Sequence, residues 1–167
     1  MNITFGPKGI LQIDDARIVH RNFEGRPSQY NREGDRNFSV VIPNQELADQ
    51  LLNDVNEYGT GWNVKIKAPR VEGDSPFIYL PVKVKFNDRG PAVYLKSGMA
   101  TNRLYEEDVK RLDRIDIASV DLDIRPYDDI VQGKPFRSAY LQAIWVTQAI
   151  DRFAERYSEI AKKGGED

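Results

Sequence analysis

Apolar residues in this chain alternate with polar ones over most of its length, so strands are the dominant expectation. In ILQIDDARIVHRNF (10–23) the apolar positions fall at 11 and 13 and then at 16 and 18, a change of phase that predicts a bend or bulge near Asp14 and Asp15. NFSVVIP predicts a short buried strand, followed by NQELADQLLNDVNEY. There Leu47, Ala48, Leu51, Leu52 and Val55 recur at helical spacing behind Asn44, a good N-cap, with Gly59 and Gly61 beyond. Three strands are expected next, in GWNVKIKAP, FIYLPVKVKF and PAVYLK, separated by RVEGDSP and NDRGP. GMATNRL predicts another short strand, and EEDVKRLDR a helical turn. IDIASVDLDIRPY alternates in two phases that a bulge at Ala118–Ser119 reconciles. VQGKP turns the chain into FRSAYLQAIWVTQ, apolar on both faces and therefore a central strand. AIDRFAERYSEIAKK carries a helical stripe, and GGED predicts a frayed tail. The expected fold is mostly β: a small, largely antiparallel barrel with an inserted helix and a C-terminal helix. We expect one domain over 1–163 and a short flexible acidic tail over 164–167.

Assigning faces by period two is the most informative step. Val64 and Ile66 oppose Lys65 and Lys67; Ile78, Leu80, Val82 and Val84 oppose Tyr79, Lys83 and Lys85; Val93 and Leu95 oppose Tyr94 and Lys96. If these strands are neighbours, one outer face carries five lysines and two tyrosines without an acid. Such a face suits a polyanion with flat bases. An exposed lysine face is also a common guard against edge pairing, and both readings stay open.

The net charge of -2 hides segregation. Residues 61–100 hold seven Lys and Arg against three acids, whereas 104–132 hold nine acids against four bases, so a partner meets a local patch and not the average. The segment FEGRPSQYNREGDRNF (23–38) interleaves Arg26, Arg32 and Arg36 with Phe23, Tyr30 and Phe38, but Glu24, Glu33 and Asp35 balance its charge. It is either a packed loop whose charges pair locally or a stacking element offering Tyr30, Arg32 and Arg36; Phe38 is expected in the core.

Other chemistry is thin. No cysteine means no disulfide or thiolate site, and one histidine, His20, leaves little for a His-based metal centre or a Ser-His-Asp triad; a surface or hydrogen-bonded role is expected for it. Asp116, Asp121, Asp123, Asp128 and Asp129 match no calcium-loop pattern, so neither metal nor cofactor is expected. Trp62 and Trp145 are both expected in the core. The longest apolar runs fall short of a membrane helix and the N-terminus lacks a signal-peptide pattern, so the expected location is the cytoplasm.

The ordered set FEGRPSQYNREGDRNFSVVI, GWNVK, IYLPVKVKF, VDLDIRPY and GKPFRSAYLQAIWVT resembles the single-stranded DNA-binding proteins of bacteriophages and prophages, over about residues 10–150. The resemblance places the family's Tyr-Asn-x-x-Gly-x-Arg segment on Tyr30, Asn31, Gly34 and Arg36, and its Gly-Trp-Asn-Val-Lys segment on Gly61 to Lys65. It implies an OB-fold and a non-enzymatic role, coating single strands in phage DNA replication and recombination. It also raises replication or recombination proteins, and a second copy of the chain in a dimer, as further partners. The acidic tail of some relatives is reduced here to Glu166 and Asp167. The expected DNA-binding residues are Lys65, Lys67, Lys83, Lys85 and Lys96 for phosphates, Tyr79, Tyr94 and Tyr30 for bases, and Arg32 and Arg36 beside them. Two rival readings are a protein-interaction or virion component without nucleic acid, and a metal-dependent nuclease built on Asp116, Asp121 and Asp123.

Overall fold

The phase change at Asp14–Asp15 marks the corner around which the sheet is organised. Residues 1–150 are described by the computed structural model; the expected C-terminal helix, apart from its first two residues, and the 164–167 tail lie outside them. Strand β1 (Asn2–Phe5) pairs with β2 (Leu11–Ala16), and only Arg17 separates β2 from β3 (Ile18–Asn22). Asp15 takes a positive φ of 52°, and its N–H donates to Asp121 Oδ1 at 2.9 Å, which fixes the bulge that the sequence predicts. The chain bends there without ending its run of pairing.

The remaining strands are β4 (Arg36–Val41), β5 (Lys65–Lys67), β6 (Phe77–Val84), β7 (Ala92–Ser97), β8 (Ala100–Leu104), β9 (Ile117–Val131) and β10 (Lys134–Gln148). One ten-stranded sheet results, in the order β1-β2-β9-β10-β6-β4-β3, with β5 on β6, β7 on β10 and β8 on β7. Most pairings are antiparallel, but β10 runs parallel to both β6 and β7, a departure from a purely antiparallel sheet. β10 is central, as its two apolar faces suggest. Its partner β9 is reached through a two-residue turn in which Gln132 and Gly133 both have positive φ, the geometry that suits a tight hairpin. The register slips between Thr147↔Ser119 and Gln148↔Ile117, which skips Ala118 and places the second predicted bulge there.

Inward residues of these strands form one core that includes Leu11, Ile13, Leu80, Val82, Val93, Leu122, Ile124 and Ile144. Helix α1 (Gln45–Asn53) closes part of it with Ala48 and Leu51, and Asn44 Oδ1 accepts the Leu47 N–H at 2.9 Å as the N-cap. The helix is shorter than its apolar pattern predicts. Asn56 Oδ1 accepts from the N–H groups of Tyr58 and Thr60 and folds a turn, so Val55 is left half exposed. Trp62 then returns its N–H to Leu51 O, a close approach at which any Cβ on Gly61 would collide with the Leu52 carbonyl.

Buried Trp62 shows why Arg137, at an inward position of β10, is tolerated. Arg137 Nε and Nη2 bind the two carboxylate oxygens of Asp128 at 2.8 and 3.0 Å, Nη1 donates to Asp54 O at 2.8 Å, and the guanidinium lies over the Trp62 ring. Trp62 Nε1 donates to Asp54 Oδ2 at 2.8 Å. The fork of donors thus joins α1 to the β9–β10 hairpin with its charge paired.

Candidate nucleic-acid interface

The loop over 23–35 is built before it is decorated. Phe23 and Phe38 are fully buried and stack at 5.2 Å, pinning both ends. Asn22 Oδ1 accepts from Gly25 and Arg26, and Asn31 Nδ2 is within reach of the carbonyls of Arg26, Arg32 and Asp35. Gly25, at φ 77°, lies against the Gly34 backbone with no room for a Cβ. Asp113 receives the N–H groups of Phe23 and Glu24, while Glu24 pairs with Arg114 and Arg36 with Glu106. Two of the charges in 23–38, Glu24 and Arg36, therefore pair with the 105–114 segment and not with one another. Tyr30 is held outside all of this, 90% exposed at the tip.

Beside that tip lies a cleft of about 550 Å³ lined by Tyr30, Asn31, Arg36, Lys83, Lys85 and Tyr140 among others. Lys83 Nζ sits 5.6 Å and the Arg125 guanidinium 4.9 Å from the Tyr140 ring centroid. The two cations hold phosphate donors directly beside the aromatic ring. Arg36 lies over Phe86, with Glu106 Oε1 3.1 Å from its Nη1. A second cleft of about 460 Å³, lined by Lys85, Asn87, Arg89, Arg125 and Gln142, contains no acid and meets the first at Lys85.

This second cleft exists because β6 and β7 follow one another along the same edge of β10. Val82 and Lys83 pair with Ala139 and Tyr140, and Ala92 resumes at Ala143, across the β10 bulge. Residues 85–91 leave the sheet in between as a basic finger whose tip is closed by mutual Asn87–Gly90 hydrogen bonds. Further along β10, Tyr94 and Trp145 are register partners with rings parallel within 9° at 5.9 Å, and Arg103 lies over Tyr94 and Tyr105.

The face expected as one patch is therefore distributed. Lys65 and Lys67 are on β5, and Lys65 pairs with Tyr79 at the start of β6; Lys83 is at the end of β6 and Lys85 just beyond it; Tyr94 and Lys96 are beyond the finger on β7. The three middle strands are not all neighbours, because β7 pairs with β10 and β8 and not with β6. Arg32 is exposed on the loop but lines neither cleft, unlike Tyr30 and Arg36.

Two core expectations are corrected. Trp145 is 36% exposed, since the β10 bulge turns it to the outer face. Ile66 is 50% exposed, because β5 is a three-residue edge strand with nothing packed over it. The sequence reading missed Tyr140, Arg125, Arg103, Phe86 and Arg89. Its available signal was the second apolar face of β10, which is an exposed aromatic row and not a second core.

Among the described residues no group of three or more His, Asp or Glu is arranged to hold a metal. Asp123 is pushed above the usual carboxylate range by burial and by neighbouring Asp14. No helix among them is long and apolar enough to cross a membrane.

A family model described as "Putative phage ssDNA-binding domain" matches residues 4–166. The C-terminally truncated single-stranded DNA-binding protein from bacteriophage Enc34 superposes with a TM-score of 0.54 at 14% identity, covering 90% of this chain and 92% of that one. The Enc34 protein in complex with ssDNA gives 0.52 at 13% identity, with 90% and 92% covered. These likenesses establish a shared fold. Among curated proteins none matches the chain.

Proposed function

We propose a route for DNA across a chain that belongs to the phage ssDNA-binding domain family. The strand lies along the outer face of β10, with bases on Tyr140, Trp145, Tyr94 and Tyr30 and phosphates near Arg36, Lys83, Lys85, Arg89, Arg125, Lys96 and Arg103. The observation that carries the route is the pair of clefts joined at Lys85, with Lys83 and Arg125 flanking Tyr140. Stacking and phosphate contacts read no base edge, so sequence preference is weak.

Reading the strands as an OB-type barrel gives the same route. Taken as one bent strand, β2 and β3 pair with β9 on one side and β4 on the other, so the order bent strand, β4, β6, β10, β9 returns to its start. Oligonucleotides bind OB-folds across the second and third strands and the loops after the first and fourth. Here those are β4, β6, the 23–35 loop and the β9–β10 hairpin. The role is to coat and protect single strands during phage DNA replication and recombination in the host cytoplasm, without catalysis.

Titration of labelled oligo-dT at several salt concentrations tests the route. Affinity falls with a log–log slope of about -0.7 for each neutralised phosphate. Equal affinity for duplex DNA, or no binding at low salt, overturns it.

A further inference from the structure

The lone histidine is not a bystander on the sheet. His20 adopts φ 53°, uncommon for a residue other than glycine, where the β3–β4 register slips between Val19↔Ser39 and Asn22↔Asn37. Its ring stands edge-on to Tyr79 at 5.2 Å and to Phe77 at 6.1 Å, and those two rings are 5.4 Å apart. Nδ1 lies 3.2 Å from Ser39 Oγ, which leaves Nε2 as the ring nitrogen available to a ligand.

The three rings border a cleft of about 300 Å³ that Lys67, Arg70 and Ser75 also line, with no acid. It shares no residue with the two clefts around Lys85. Tyr79 and Lys83 project from the same face of β6 four residues apart, about 13 Å at the rise of a strand. A strand leaving the Tyr140 cleft along β6 therefore arrives here.

We propose that this cleft is a separate subsite for one unpaired nucleobase of the bound strand. The base packs against Phe77 and Tyr79 with its edge toward His20, and the adjoining phosphates lie between Lys67 and Arg70. Lys67 and Tyr79 thus belong to this remote subsite and not to the central clefts, and Lys65 is the register partner of Tyr79 beside it. The inference rests on the strand following β10 and β6, and its test separates the two claims.

With one imidazole in the chain, isotope-labelled histidine gives a single ring signal. Of the two tryptophans Trp62 is buried and Trp145 exposed, so fluorescence quenching by bound DNA is read as a change at Trp145 on the outer face of β10. Oligo-dT of about 4 and about 12 nucleotides brackets much of the range of single-fold site sizes. Both oligomers quench Trp145, but the His20 signal moves, saturably, only or mainly with the longer one. Tyr79→Leu and the pair Lys67→Ala/Arg70→Ala each weaken the longer oligomer by about 5-fold or more and leave the shorter one unchanged. Quenching by the longer oligomer with an unmoved His20 signal and unchanged affinity in these variants overturns the subsite alone. Silence of both reporters overturns the central route as well.

Discussion

The outer surface of the sheet has two unlike neighbours. Around β6, β10 and the 85–91 finger, Arg36, Lys83, Lys85, Arg89 and Arg125 surround Tyr30, Phe86 and Tyr140. Around β2 and β9 lie Asp14, Asp15, Asp121 and Asp123, where burial first and the Asp14 charge second raise the Asp123 pKa above its ordinary value. The border runs between register partners, since Trp145 on β10 faces Asp121 on β9. On the proposed route, a polyanion is attracted by the first region and repelled by the second, so the acids would confine the strand laterally. Net charge describes neither region, and only the local field matters to the partner.

The largest expected effect comes from removing the basic side of that contrast. Lys83→Ala with Lys85→Ala lowers oligo-dT affinity by about 10- to 100-fold at low salt and makes the salt slope shallower by roughly 1.4, as two lost phosphate contacts require. The thermal midpoint stays where it was.

Arg137→Ala provides the counterpart, a cation that serves the fold. Stability falls by roughly 2–3 kcal/mol in denaturant titration, because Asp128 and Asp54 lose their partner in a partly buried site. Affinity of the folded fraction is unchanged. The hydrogen bonds from Arg137 hold the Asp128 carboxyl below its ordinary range. The corresponding stability is present above the unfolded carboxylate range and is lost as pH falls through the depressed value. The wild-type advantage over the variant consequently shrinks in acid.

Loop chemistry gives smaller shifts. Tyr30→Ala costs about 1 kcal/mol of binding with little loss of stability, whereas Arg32→Ala, outside both clefts, costs less than Tyr30→Ala in the same titration. Glu106→Gln works in the other direction: with its ion pair removed, Arg36 is free for a phosphate and affinity rises several-fold.

The smallest change is expected on the acidic side. Asp123→Asn raises the thermal midpoint by about 1–3 °C at neutral pH, since burial and Asp14 disfavour the charged carboxylate. Because the native pKa is raised, that gain diminishes as pH falls through it and Asp123 becomes protonated.

Much of this was legible in alternation alone. Both bulges, the N-cap at Asn44, the inward rows of β6 and β7, and buried Phe23, Phe38 and Trp62 follow from period and local chemistry, which act over a few residues. The lysine row was visible for the same reason, whereas the family was legible only through the resemblance of the ordered segments and is shown by the family model. Arg137 left a trace too, as a charge at an inward position of a strand.

What alternation cannot supply is which strands meet. A period-two pattern assigns a residue to a face but is silent about the neighbour across the hydrogen bonds, and a single bulge reverses the assignment beyond it. That is why Trp145 read as core and emerged beside Tyr94, and why the lysines expected on one patch are spread over β5, β6 with the residue beyond it, and β7. The chain's own chemistry determined a mostly β domain with a basic, aromatic outer face. Tertiary pairing decided where that face is continuous, because parallel alignment of β6 and β7 on β10 depends on contacts far apart in sequence.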